Sequence, residues 1–348
     1  MSFSRDQIAA AATAAGLPQA DVARLLAALP AGPARAQPRF DLIHLLWYGG
    51  ALLILGAMTL FATLAFAQMG GVGLTATAIV YAAGFVLAGR HLWHRGLTTP
   101  GGLMIAIAVG MAPMAVFGLQ EMSDQWGTMG DPGNYRDFYR WVHGSFVPME
   151  LATLAAGALA LCFFRFPFIV AIMAFALWFL SMDLAPWVFH GQDLSWDQRR
   201  DLSLYFGLAL MLLAWGVDLA ARQADFAFWL HLVGAVTFWG GLTLQDGGSG
   251  WAQAAYCAIN VGLVLLAVFL GRRVYAVFGM IGIMVYLGHL VADVFADSLL
   301  FPFVLTLIGL AVMGAGLWLY PRRHRADLWL DRSLPPALRQ LRPAHART

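Results

Sequence analysis

Apolar segments long enough to cross a bilayer recur along this chain from residue 42 to residue 320, separated by short breaks. A helix needs about 20 apolar residues to span roughly 30 Å of hydrocarbon. Ten segments meet or approach that length, at residues 42–66, 71–92, 101–119, 147–164, 166–187, 202–221, 227–245, 251–270, 274–296 and 300–320. Charged residues make up only 11% of the chain, against roughly 25% in soluble domains. The sequence therefore predicts an all-α polytopic integral membrane helix bundle of about ten transmembrane helices.

The placement of arginine predicts how these spans are oriented. All 21 basic residues are arginines, and ten spans that start from a cytoplasmic N-terminus leave 17 of them in cytoplasmic segments. The outer loops keep only Arg136, Arg140, Arg199 and Arg200. Basic residues near spans are retained on the cytoplasmic side. We therefore expect both termini to be cytoplasmic, an N-in/C-in arrangement. Acidic residues show the opposite bias, since 12 of 19 lie on or near the outer side.

Two polar segments flank the predicted transmembrane domain of residues 41–320. Residues 1–40 form a cytoplasmic helical leader and a Pro-rich connector, with a second short helix beginning at Pro18. The leader is either a small cytoplasmic cap or a docking or sensing module. Residues 321–348 form a cytoplasmic Arg-rich tail whose first arginines are typical of a stop-transfer cluster. Neither segment indicates nucleic-acid binding.

The span within Val274–Asp297 carries ionisable groups among apolar residues. Gly279, Gly282, Tyr286, His289 and Asp293 follow one another at steps of three or four, so a helix places them along one stripe. A charged group in hydrocarbon costs about 2.5–3.5 kcal/mol on insertion scales. We therefore expect this stripe to face other helices or a wet cavity.

Polar residues also cluster by predicted depth, near the outer ends of the helices. The residues in this set are Gln120, Glu121, Glu150, Asp183, Gln245, Asp246, His289 and Asp293, with His231 and Asn260 deeper on the seventh and eighth spans. If these helix ends converge, they form an acidic vestibule that opens outward. We hypothesise that His289 and Asp293, four residues apart, bind a proton or a cation at its floor. The alternative is that the two side chains satisfy each other in a helix interface.

Two functions are compatible with this layout. The first is a transporter- or permease-like protein for a small solute, a proton or a cation, with the acidic vestibule as its entrance. The second is a non-transporting membrane scaffold or sensor that acts through its cytoplasmic leader or outer loops. Transport predicts that the intramembrane polar groups line one cavity, whereas a scaffold predicts that each is satisfied singly. The bilayer is an expected partner in both, and a protein partner or a second copy of the chain is left open.

Other chemistries have little support in the sequence. Cys162 and Cys257 both lie within apolar spans and indicate neither a disulfide nor a metal cluster. His289 with Asp293 supplies two ligands, where a catalytic zinc needs three. Residues 247–250 match the G-x-S-G of intramembrane serine proteases, but they fall in a short outer turn. We therefore expect no metal and no cofactor, and an enzyme ranks third among the hypotheses.

One charged pair inside a span has a simpler interpretation. Asp218 and Arg222 are four residues apart near the cytoplasmic end of the sixth span, the spacing of neighbours on a helix surface. We expect a local ion pair there and assign it no chemistry.

Two stretches of the chain carry a resemblance to a known family. Residues 39–58 read RFDLIHLLWYGGALLILGAM and enter a run of glycine-rich spans, and residues 333–343 read SLPPALRQLRP. With the short helical leader, this layout resembles the bacterial predicted membrane proteins of the DUF-2157 type. The resemblance covers the leader and the first three spans best. It implies a multi-pass protein of the bacterial inner (cytoplasmic) membrane, and it implies no site residues because that group has no settled activity.

Overall fold

The computed structural model describes residues 42–123, 146–188, 195–220, 226–245 and 250–294, with scattered positions before residue 25 and after residue 302. Side chains at 44, 59, 62–68, 186–188 and 291–294 are not among those described. The described ranges are helical and contain no strand. Their helices are α1 Leu42–His94, α2 Thr98–Gly110, α3 Ala112–Met122, α4 Val147–Phe163, α5 Phe168–Val188, α6 Trp196–Ala220, α7 Phe226–Thr243, α8 Gly250–Leu270 and α9 Arg273–Val294.

The first helix is too long to be a single span. It has 53 residues, about 80 Å at 1.5 Å per residue, against roughly 30 Å of hydrocarbon. Its path breaks at Gly70, where φ is 61° and ψ is −177°, a conformation that glycine adopts without a steric penalty. The result is two apolar stretches, Leu45–Met58 and Met69–His94. The break lies between the predicted spans 42–66 and 71–92.

The predicted span 101–119 consists of two consecutive helices. The chain turns at Met111, whose N–H bonds to the carbonyl of Ala108 at 3.1 Å. Pro113 follows in the first turn of α3, where a residue without an N–H donor is tolerated because the first helical N–H groups have no intrahelical acceptor. Together α2 and α3 cover 25 residues, enough to cross a bilayer.

Seven helices in the described ranges are long and apolar enough to span a membrane. Two more of the predicted spans coincide with the shorter apolar helices Leu45–Met58 and Val147–Phe163. About two thirds of the tenth, 300–320, lie outside the described residues. Large apolar side chains remain on the surface, such as Leu53 at 76% exposure and Leu87 at 70%. A surface of this kind fits a membrane protein.

The bundle has two buried clusters that share α6 and α7. In the first, Tyr48 of α1, Phe168 of α5 and Trp229 of α7 pack with ring centroids 4.7–5.8 Å apart. The second cluster is formed by α6, α7, α8 and α9 around Tyr275, which is fully buried. Its other buried members are Met211, Ala235, Leu263, Ala267 and Leu270. The α6–α7 hairpin therefore joins the two halves of the bundle.

The chain divides into two compact units. One consists of Met1–Pro38 with Arg222–Ala224, and the other of Arg39–Ala221 with Asp225–Thr348. In the first unit the N–H of Val22 donates to the carbonyl of Pro18 at 3.1 Å, a helical i→i−4 bond. This bond fits the predicted helix that begins at Pro18. The predicted domain boundaries near residues 40 and 320 remain predictions.

The contact between α6 and α7 depends on a glycine. A Cβ placed on Gly207 would lie 2.3 Å from the Phe238 nitrogen and 2.6 Å from its Cα, so the two backbones would have to separate. A Cβ on Gly216, in the same helix, meets nothing within 4 Å. We expect Gly207→Ala to lower the free energy of unfolding by about 1–3 kcal/mol. Gly216→Ala should leave it unchanged or raise it by up to about 1 kcal/mol.

Unfolding of the detergent-solubilised variants, followed by circular dichroism against denaturant, measures both changes. Equal stabilities for the two variants would contradict the close approach of α6 and α7.

Candidate functional site

Polar side chains gather at two opposite ends of the bundle. The first is named here the Glu150 end, where α3, α5 and α7 finish and α4 and α6 begin. The second is the Arg272 end, where α6 and α8 finish and α7 and α9 begin. The two ends differ in how fully their buried charges are paired.

Two carboxyl groups are buried together at the Glu150 end. Glu150 lies in the first turn of α4 and is 8% exposed, and Asp183 lies near the end of α5 and is 1% exposed. Their helices pack against each other, and the short 164–167 connection makes them antiparallel, so these two positions meet. Electrostatic repulsion acts between the two groups. Glu150 and Asp183 are therefore close enough to interact, a pairing that the sequence pattern did not single out within its acidic set.

Each of these carboxyl groups has an oxygen that accepts no hydrogen bond. Among the described residues, Glu150 Oε2 and Asp183 Oδ2 are both buried and without a donor. A buried oxygen left in this state costs about 1–3 kcal/mol, and more if it is charged. The pair is therefore a place where an added proton or cation would gain interactions that the helices do not supply.

Arg199 supplies positive charge to this pair from the first turn of α6. Its guanidinium attracts the carboxylate of Asp183. The start of α6 is fixed by reciprocal bonds, since the Ser195 N–H donates to Gln198 Oε1 at 2.8 Å and the Gln198 N–H donates to Ser195 Oγ at 3.3 Å. This cap fixes the first turn of α6 and therefore the position of Arg199 in that turn.

The neighbouring arginine has different partners. Arg200 forms an ion pair with Asp197 and donates to the carbonyl of Leu244, just past α7, at 2.5 Å. The Gln245 amide donates weakly to Asp201, at 3.4 Å. These bonds hold the start of α6 against the end of α7.

Other members of the predicted vestibule are more dispersed. Gln120 is buried at the end of α3, whereas Glu121 is half-buried beside Gly71 of α1. Asp246, most of the outer loop 120–146 and the Asp293 side chain lie outside the described residues. The geometry of the His289–Asp293 pair is therefore untested.

The stripe of small and polar residues on α9, which we expected to face inward, is buried along only part of its length. Gly279 and Gly282 are buried against Asn260 of α8, and a Cβ on Gly282 would lie 1.9 Å from Asn260 Oδ1. Tyr286 is half-buried, and the His289 side chain is exposed on the surface of this chain. The first part of the stripe therefore packs against α8, whereas its His289 end is exposed in this chain.

Asn260 is the deep polar group between α8 and α9. It is fully buried, and its Nδ2 donates to the carbonyl of Tyr256 at 2.9 Å. Its Oδ1 faces Gly282 and accepts no hydrogen bond from the described residues. Asn260 therefore serves the packing of two helices, away from the carboxyl pair.

His231 belongs to the Arg272 end and not to the acidic set with which the sequence grouped it. Its Nε2 lies 2.9 Å from Asp218 Oδ2, and its Nδ1 lies 2.5 Å from the hydroxyl of Tyr275. Arg272 Nε donates to Asp218 Oδ2 at 2.9 Å, and Arg272 Nη2 donates to Asp218 Oδ1. These four residues are buried. We name them the Asp218 network.

The turn between α8 and α9 places Arg272 where its side chain can bond to Asp218. Gly271 has φ 67°, and the N–H of Arg272 bonds back to the carbonyl of Ala267 at 3.1 Å, which is the Schellman arrangement at the end of α8. The backbone of Arg272 is therefore held as its side chain reaches α6. The network is satisfied if His231 donates from Nε2 to Asp218 and accepts at Nδ1 from Tyr275.

The expected local pair of Asp218 with Arg222 does not account for Asp218. Its carboxylate bonds to Arg272, 54 residues away, while Arg222 lies outside the described residues. A carboxylate within an apolar span indicates that a buried partner must exist, and this was the sequence signal for the network. Arg222, four residues away, was the nearest basic residue, so the sequence pattern indicated it as the partner in place of Arg272.

Comparison with known proteins identifies no relative of the chain. No family model, curated protein or solved structure matches it. Within the described ranges, no group of three or more His, Cys, Asp or Glu side chains is arranged to hold a metal ion. Any function must therefore be argued from the two polar clusters.

Breaking the Asp218 network should be costly. Asp218→Asn leaves the Arg272 charge buried without its counter-ion, and we expect a loss of about 3–5 kcal/mol in the free energy of unfolding. Asp218→Leu combined with Arg272→Met should cost less, because no unpaired charge remains. The control is Asp201→Asn, an exposed acid on the same helix, which should shift stability by less than about 0.5 kcal/mol.

The same denaturant titration in detergent measures all three proteins. Asp218→Asn with the stability of the Asp201 control would contradict a buried ion pair.

Proposed function

We propose that this chain is a transporter- or permease-like membrane protein that binds a proton or a small cation at Glu150 and Asp183. One observation carries the proposal, namely two buried carboxyl groups on neighbouring helices, each with an oxygen that has no donor among the described residues. Ionisable groups within spans are costly and commonly mark ion or proton pathways. The Asp218 network is a weaker candidate because its groups already satisfy one another.

Charge counting suggests what the pair would bind. Two ionised carboxylates and the Arg199 guanidinium sum to one negative charge. Burial disfavours that charge unless something neutralises it. One proton or one monovalent cation would do so, whereas a divalent ion would leave a net positive charge.

The proposed setting follows the predicted topology. In it the chain has ten spans, both termini are cytoplasmic and the Glu150 end faces outward, so the pair lies at the entrance of an outward-facing acidic vestibule. Four of the five helix termini that define the Glu150 end carry a buried polar side chain or Arg199. The proposed location is the bacterial inner membrane, as the resemblance to the DUF-2157 type implies.

Dicyclohexylcarbodiimide, an apolar reagent that adds to protonated carboxyl groups, tests the binding site without a known substrate. In liposomes we expect it to label Glu150 or Asp183, and labelling should fall as pH rises because only the protonated acid reacts. Asp218 is the internal control, since both oxygens of its carboxylate already accept hydrogen bonds and it is paired with the Arg272 guanidinium. Mass spectrometry of the digested protein locates the adduct.

Added salt distinguishes the two proposed ligands. Sodium or potassium should slow labelling if a metal cation occupies the pair, whereas a proton site should respond to pH alone. Labelling of Asp218 as fast as Glu150 and Asp183, or no labelling of the pair at any pH between about 5 and 8, would reject the site.

Ion flux in proteoliposomes tests the activity itself. Glu150→Gln or Asp183→Asn removes a titratable group from the pair, so proton or cation flux should fall about tenfold or more. Glu121→Gln, a half-buried acid at the same end, is the matched control and should retain flux.

His289→Ala separates this site from the one predicted in α9. Loss of flux in His289→Ala with normal flux in Glu150→Gln would move the site to His289 and Asp293. Absence of flux from the wild-type protein for every ion and solute tried would favour a scaffold or sensor.

A further inference from the structure

A short piece of the C-terminal tail is bound to the Arg272 end of the bundle. The indole Nε1 of Trp215, in α6, donates to the carbonyl of Leu341 at 2.8 Å. Arg342 Nε donates to the carbonyl of Phe269, in α8, at 3.2 Å. Arg342 is 2% exposed and the Pro343 side chain is fully buried. Residues 341–343 are therefore seated against two helices that come from different parts of the chain.

The Arg342 contact exploits the electrostatics of a helix end. Phe269 lies in the last turn of α8, where carbonyls have no intrahelical donor and the helix dipole is negative. The backbone of Arg272 satisfies the Ala267 carbonyl, and Arg342 satisfies that of Phe269. A guanidinium is favoured at such a site through both its hydrogen bond and its charge.

The two residues that hold the tail also border the Asp218 network. Trp215 precedes Asp218 by three positions in α6, and Phe269 precedes Arg272 by three positions. Both pack against the second cluster, whose centre is Tyr275, a member of the network. The docked tail thus joins α6 to the end of α8, next to the α8–α9 turn that the Asp218–Arg272 pair joins to α6.

We propose that Trp215 and Phe269 form a docking site for Leu341–Pro343 of the same chain, and that the docked tail is a latch that keeps water away from the Arg272 end. Release of the tail lets α6 and the α8–α9 turn separate. The latch acts at the end opposite to the carboxyl pair and does not depend on what binds there.

The test uses a buried cysteine as a reporter in the full-length protein. Ala267→Cys, introduced where Cys162 and Cys257 are both replaced by Ala, places a thiol in the second cluster at a position that is 7% exposed. A membrane-impermeant maleimide then reports how fast water-soluble reagent reaches this end in detergent solution. Loss of a charge-assisted hydrogen bond shifts an equilibrium by about tenfold or more.

Two variants open the latch from opposite sides. Arg342→Ala removes the tail's donor, and Trp215→Phe removes the helix's donor while keeping an aromatic ring. Each should raise the labelling rate of the reporter about tenfold. Arg339→Ala is the matched control, because Leu338-Arg339 repeats the Leu341-Arg342 sequence three residues earlier. It should label at the wild-type rate.

The outcomes decide the proposal even if one variant destabilises the fold. Labelling at the wild-type rate in both Arg342→Ala and Trp215→Phe rejects the latch, as does equal acceleration by Arg339→Ala. If Arg342→Ala is no longer monodisperse, Arg342→Met keeps most of the side-chain length and removes every donor, and the same comparison applies to it. Acceleration in Trp215→Phe and in either Arg342 variant supports it.

Discussion

The cost of placing charge in an apolar bundle is the constraint on which the rest of this structure depends. Burying an isolated charge costs more free energy than a folded protein can offset. Each buried charged group must therefore be paired, neutralised or exposed to water. At the Arg272 end the chain pairs its charges, since four hydrogen bonds link Asp218, His231, Arg272 and Tyr275. At the Glu150 end it leaves two carboxyl oxygens without donors among the described residues. The same physical problem therefore has two different solutions in one molecule.

Close helix contacts make the paired solution possible. Gly207 lets α6 and α7 approach until a Cβ would touch the Phe238 backbone, which brings the helices of Asp218 and His231 together. Gly271, with φ 67°, then turns the chain so that Arg272 faces α6. The Asp218–Arg272 ion pair thus depends on two glycines that set the backbone geometry. A shift of α6 along α7 by one helical turn would leave at least one buried charge without its partner.

Much of the architecture could be predicted because span length and charge placement are local properties of a sequence. The break at Gly70 lies between two predicted spans, and counting residues across spans places Glu150 and Asp183 at one end without identifying them as a pair. The Asp218–Arg272 pair could not be found in this way, since its partners are 54 residues apart and Arg222 offered a nearer match. A helical period identifies a face, but it does not say which residues of that face are buried. On α9 the glycines at 279 and 282 are buried, and the His289 side chain is exposed.

The difference between the two ends bears on where a ligand can bind. To accept a new cation, the Asp218 network would have to give up bonds that satisfy both oxygens of its carboxylate, and the tail at residues 341–343 covers the same end. The oxygens of Glu150 and Asp183 without donors can gain a partner without losing one. Since apolar residues in place of a buried ionic group are often neutral or stabilising, fold stability alone gives little reason to keep that carboxyl pair. The proposed binding of a proton or a cation would supply a reason, because the free energy of binding would offset the cost of burying the pair.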